Sequence, residues 1–210
     1  MAGFERTMML VGSLRVAPKD SGTRTLTGYA AVFDTPSVDM GGWHEMVAPG
    51  AFADSLAAGD DVRALYNHDP NIILGRTKSG TLRLQEDSTG LRVEIDLPDT
   101  EQARGIAASV ERGDVDQMSF GFRTLKDKWW IDAKDQVVRT LEQVKLYDVS
   151  PVVYPAYPDT SISVRGEAWV GEIPEIPAEL RQAASPAAEG DQVQAHLATL
   201  KRRLDIASVE

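Results

Sequence analysis

The sequence contains no cysteine. That excludes disulfides, thiol nucleophiles and cysteine-based zinc sites together. Histidine is scarce: His44, His68 and His196 are the three in 210 residues, too few for a metal site built on several imidazoles. Cations are in deficit, with 22 Lys and Arg against 32 Asp and Glu and a net charge of −10. A nucleic-acid groove needs clustered Lys and Arg and is not expected here. No apolar run reaches the roughly 18 residues a membrane span requires. The opening MAGFERTMMLVGSLRV carries Glu5 and no small-residue cleavage site, so no signal peptide is expected. A packed core is within reach, because 42% of the residues are hydrophobic. The length suits one domain with an appendage, or two small domains.

Alternation and turn chemistry organise the first two thirds. Thr25 to Phe33 reads as a strand, and DTPSVDMGG after it as turns. Phe52 and Leu56 share one face of a short helix that stops near Gly59. Val62 to Tyr66 reads as a strand running into the polar turn NHDP. Ile72 to Arg76, Thr81 to Gln85 and Leu91 to Leu97, separated by KSG and DSTG turns, predict a β-meander. Asp99 to Arg112 is the best helix: Ala103, Ile106, Ala107 and Val110 fall at helical spacing, Asp99 can cap it, and Gly113 stops it. Gly105 within it suggests close packing. Met118 to Leu125 predicts a strand, followed by a DAKD turn and a long strand from Gln136 to Val149, with Pro151, Pro155 and Pro158 ending regular structure shortly after.

The character changes past Arg165. Glu, Pro, Ala and Gly dominate Gly166 to Gly190, the composition of a linker or tail. Val193, Leu197, Leu200 and Leu204 then form a narrow apolar stripe, too short to be a stable helix without a partner surface. The expected division is an N-terminal extension (1–24), a main domain (25–165), an acidic linker (166–190) and a short helix or tail (191–210).

Three residues stand out as carriers of chemistry. His68 sits in a turn at the end of a strand, Ser119 sits in QMSFGF, and Asp148 sits near the end of an apolar strand. A serine hydroxyl needs a neighbouring base, and a histidine base needs an acceptor that holds its tautomer. Each also has a bland reading: a solvated turn histidine, a strand-entry serine, an outward-facing carboxylate. A metal reading with His68 and Asp69 offers too few ligands.

The blocks GYAAVFDTPS, VAPGAFADSL, NHDPNIILGRTKSGTL, GDVDQMSFGF and DVSPVVYPAY, taken in order, resemble the head-maturation (prohead) proteases of tailed bacteriophages. The resemblance spans Thr25 to Thr160. It implies an α+β fold, mainly an antiparallel β-barrel of about seven strands surrounded by a few helices, as in the assembly proteases of herpesviruses. It implies a serine endopeptidase with His68 as base and Ser119 as nucleophile. Herpesvirus enzymes use a second histidine as third member. This chain has Gln143 close to that place, so an acid is expected instead: Asp148 first, and Glu142, on the same strand face by parity, second. The backbone of Phe120 and Gly121, or the side chain of Arg123, would stabilise the oxyanion. No cofactor or metal is implied. The implied substrates are capsid and scaffold protein and the enzyme itself, in a homo-oligomer inside the procapsid assembling in the host cytoplasm. The other reading is a non-enzymatic capsid assembly protein in which the same blocks serve packing. In either, the acidic linker and apolar stripe would target the chain to capsid or scaffold helices.

Overall fold

Period-two patterning governs most of the chain, and strands follow from it. The computed structural model describes residues 5–9, 14–18, 24–37, 39–153 and 174–181. In chain order the elements are β1 (Glu5–Met9), β2 (Arg15–Pro18), β3 (Arg24–Val32), β4 (Trp43–Val47), α1 (Ala53–Ala57), β5 (Arg63–Tyr66), β6 (Asp69–Arg76), β7 (Leu82–Glu86), β8 (Gly90–Asp96), α2 (Glu101–Arg112), β9 (Gln117–Ile131) and β10 (Val137–Val152), with a 3-10 turn at Ala178–Leu180. The class is α+β, mostly strands with few helices. One sheet runs β1-β9-β10-β5-β6, with β4 also on β10; the other runs β2-β3-β8-β7. The described ladders form these two sheets and do not join into the expected closed barrel.

The sheets share one core. Met118, Phe120 and Phe122 of β9 and Leu146 and Val149 of β10 meet Leu26, Leu91, Val93 and Ile95 from the other sheet. Phe120 packs edge-on to Phe52 at 5.3 Å between centroids. Two strands lie within the segment read as an N-terminal extension: β1 pairs with β9 and β2 with β3. The expected meander is divided between the sheets, because β6 turns back on β5 while β7 pairs with β8. The KSG turn therefore carries the chain from one sheet to the other.

Helix α2 forms where its spacing predicts and buries Ala103, Ile106, Ala107 and Val110. Its cap is Thr100, whose side chain accepts from the Ala103 N–H at 3.2 Å. Asp99 lies one residue further out and pairs with Arg104. Gly113 ends the helix at φ 81°, a conformation glycine adopts without penalty. Gly105 is not closely packed: a Cβ built there meets nothing within 4 Å. Of the three prolines expected to end regular structure, Pro151 lies inside the last strand, which stops at Val152, and pairs with Met118, while Pro155 and Pro158 lie outside the described residues. The stripe of Val193, Leu197, Leu200 and Leu204, and His196 with it, lie outside the described residues.

Candidate active site

His68 occupies a two-residue hairpin turn. Tyr66 and Asp69 are the last paired residues of β5 and β6, and Asn67 and His68 between them have φ of 52° and 56°. Two consecutive positive φ values are the signature of a type I′ turn, whose twist matches that of the strands it joins. Left-handed backbone is unfavourable for residues with a side chain, by about 1 kcal/mol or more each. The surroundings hold it. The Asn67 N–H donates to the Pro151 carbonyl at 3.0 Å, and Asn67 Oδ1 accepts from the Val153 N–H at 3.0 Å. The hairpin tip is thereby fastened to the end of β10.

Ser119 and Asp148 stand on neighbouring strands. Met118, Phe120 and Phe122 fill the core, so Ser119 and Gly121 face the opposite side. Ser150 lies opposite Ser119 and Asp148 opposite Gly121 in the β9–β10 ladder. On its other edge β10 runs parallel to β5, with Asp148 beside Arg63. Register shifts in the β9–β10 ladder fall between Leu141 and Val144 and between Leu146 and Asp148. The last of these turns Asp148 away from the core while Leu146 and Val149 stay in it.

The three side chains meet. His68 Nδ1 lies 2.6 Å from Asp148 Oδ1, and His68 Nε2 lies 2.6 Å from Ser119 Oγ. A carboxylate can only accept, so Nδ1–H donates to Asp148 and Nε2 accepts from the Ser119 hydroxyl. The His68 and Asp148 side chains are 8% and 7% exposed, and Ser119 is buried. A fourth group joins them that the sequence reading did not single out: Ser150 Oγ donates to Asp148 Oδ1 at 2.8 Å. Its signal was present as a second polar residue two positions after Asp148, on the same strand face.

Other candidates lie elsewhere. Glu142 Oε2 pairs with Lys126 Nζ at 2.6 Å, beside the register shifts that break the parity linking it to position 148. The Gln143 amide donates to Asp54. Asp69 accepts from the backbone and side-chain amides of Asn71 at 2.8 and 2.9 Å. Phe120 is a core side chain, and Gly121 sits between the β1 and β10 ladders, opposite Arg6 and Asp148. Arg123 is half-buried and lies four residues beyond Ser119, about 13 Å along the strand. Among the described residues no group of three or more His, Asp or Glu side chains is arranged to hold a metal ion, and no helix is long and apolar enough to cross a membrane.

A second buried polar cluster lies further along the same two strands. Arg139 of β10 donates to Glu45 Oε2 at 3.1 Å, to Asp127 Oδ2 at 2.6 Å, to Thr124 Oγ1 at 2.8 Å, and to Glu5. Its guanidinium also sits 5.7 Å from the centre of the Trp129 ring. Burial works against the Arg139 charge, but the Glu5 hydrogen bond and the fields of Glu45 and Glu5 outweigh it and hold the group above its ordinary value. Burial pushes Glu45 up from 4.5 to about 8, against the opposing pull of Arg139. Glu45 Oε1 is buried without a hydrogen-bond partner among the described residues.

Comparison with known proteins agrees with the resemblance. Residues 13–169 match the family described as caudovirus prohead serine protease. The prohead protease of Enterobacteria phage HK97 is 29% identical over 139 residues, which cover 65% of this chain and 57% of the relative. The chain thus spans little more than half the length of that relative. The bacteriophage T4 capsid assembly protease gp21 aligns at a TM-score of 0.49 and 10% identity, over 71% of this chain and 96% of that one. With its family model matched over three quarters of its length, the chain belongs to the caudovirus prohead serine proteases.

Proposed function

We propose that the chain is a serine endopeptidase of phage head maturation in which Ser119 is the nucleophile, His68 the base and Asp148 the orienting acid. The observation that carries this is the bridging of Ser119 and Asp148 by one imidazole, with 2.6 Å on each side. As Ser119 Oγ bonds to the scissile carbonyl carbon, His68 Nε2 takes the hydroxyl proton and the carbonyl electron pair moves to oxygen. The tetrahedral species collapses, the C–N bond breaks, and His68 returns its proton to the leaving amine. Water then repeats the sequence to free the acid and restore Ser119. Asp148 holds the Nδ1–H tautomer and stabilises the imidazolium while it exists. The oxyanion donor is not assigned among Phe120, Gly121 and Arg123: the backbone of the first two lies between two ladders, and Arg123 stands four residues along the strand.

The substrates proposed are capsid and scaffold protein and the chain itself, inside the assembling procapsid of a bacterial host, with the enzyme as a homo-oligomer. The protease domain spans 25–165 with the strands before it, and the segment from 166 onward serves targeting and self-processing. A fluorophosphonate probe tests the chemistry. Ser119 is labelled in the full chain within assembled particles, and Ser119→Ala and His68→Ala abolish both labelling and capsid cleavage, read by intact mass after co-expression with the capsid protein. Normal cleavage by either variant removes the assignment, and a chain that assembles but never labels is a scaffold.

A further inference from the structure

Ser150 is fully buried in β10, although burying a hydroxyl is unfavourable unless it is bonded. Its bond goes to Asp148 Oδ1, the oxygen that also receives the His68 Nδ1–H. Resting on the reading of Asp148 as the orienting acid, we infer that Ser150 is a positioning residue that fixes the Asp148 carboxylate for His68. The carboxylate torsion of an aspartate is broad and roughly two-fold, so its own rotamer does not aim it. A donor two residues along the same strand does. Asp148 and Ser150 share one face, and both are held by the β9 ladder, Ser150 directly opposite Ser119. The carboxylate is thus gripped from its own strand as well as by the imidazole from the hairpin.

The test measures the rate of Ser119 labelling by a fluorophosphonate in the full chain, as a function of probe concentration. Ser150→Ala is expected to lower the maximal labelling rate by about ten- to a hundredfold, the scale of a hydrogen bond to a charged group. The probe concentration giving half that rate should stay put, as expected of a residue that orients the base and does not bind the probe. On an Asp148→Asn background the same substitution should add little further loss, because both act through one carboxylate. Ser150→Cys keeps the side-chain connectivity with a weaker donor and fills the site, giving an intermediate rate, and it serves where the alanine variant does not fold. Labelling of Ser150→Ala or Ser150→Cys at the parent maximal rate overturns the inference, as does a full additive loss on the Asp148→Asn background. Absence of labelling in the parent chain would instead sink the underlying reading and this inference with it.

Discussion

The His68 cluster and the Arg139 cluster both join β9 to β10 out of water, yet one is a line and the other a hub. In the first, Ser119 donates to His68, and His68 and Ser150 donate to one carboxylate. One proton can move along that line without leaving a group unpaired. In the second, a single guanidinium serves Glu5 from β1, Glu45 from β4, and Asp127 and Thr124 from β9. Three carboxylates surround one cation, and burial first, with the charges of Glu5 and Asp127 adding to it, raises the affinity of Glu45 for its proton against the pull of Arg139. The comparison teaches that burial of polar groups does not by itself mark a site. Geometry that lets one proton travel points to chemistry, and geometry that gathers four strands on one charge points to fastening.

Substitutions can break or sharpen this contrast. The largest effect is expected within the line: Asp148→Asn should lower the chemical rate by about 10^4-fold, the scale seen when an orienting acid is neutralised. Glu142→Gln should leave that rate unchanged, since Glu142 is paired with Lys126 on the surface side of the strand. Cleavage kinetics decide between them, and equal losses would erase the distinction. Within the hub, Arg139→Met should strand two or more buried carboxylates and destabilise the fold by about 3–5 kcal/mol. The folded fraction should still label Ser119 at the parent rate. Urea denaturation paired with labelling separates the two outcomes, and a stable but inactive variant would place Arg139 in the chemistry.

Glu45 predicts a pH effect confined to the hub. Its folded-state value of about 8 lies above the ordinary 4.5. Between those values the folded chain holds a proton that the unfolded chain releases, so stability falls as pH rises through the window. Over the window the loss should reach a few kcal/mol. Glu45→Gln should flatten that slope in unfolding midpoints measured from pH 5 to pH 8; an unchanged slope would assign it to another group. The smallest effect is expected outside both clusters. Gly105→Ala adds a methyl to open space in mid-helix and should stabilise the chain by about 1 kcal/mol. A lowered melting temperature there would show that α2 packs more closely than its described surroundings.

Local rules made much of the fold legible. Helix α2 and strands β3, β5, β7 and β8 fall close to where spacing and turn residues predict them. The N-cap moved by one residue, from Asp99 to Thr100, because either side chain can accept from the first turn and only backbone direction chooses. Strands β1, β2 and β4 escaped notice, being short and lacking a pattern that separates them from loop. Among the proposed site residues, His68, Ser119 and Asp148 were visible as residue types in matching blocks. The ambiguity between Asp148 and Glu142 came from parity, which a bulged strand does not respect. Ser150 stayed hidden because a serine before a proline reads as a strand end, whereas this strand continues through Pro151 to Val152.

By itself the sequence determined which groups were available: one imidazole in a hairpin turn, one serine among core phenylalanines, one carboxylate in an apolar strand, and no thiol. It could do so because turn chemistry and side-chain alternation are properties of a few adjacent residues. Only the tertiary structure decided that groups 51 and 80 positions apart should touch. That depends on the parallel pairing of β5 with β10, the bulge before Asp148 and the fastening of Asn67 to the end of β10. All three are contacts between distant segments, and their free energy exists only once the chain has folded.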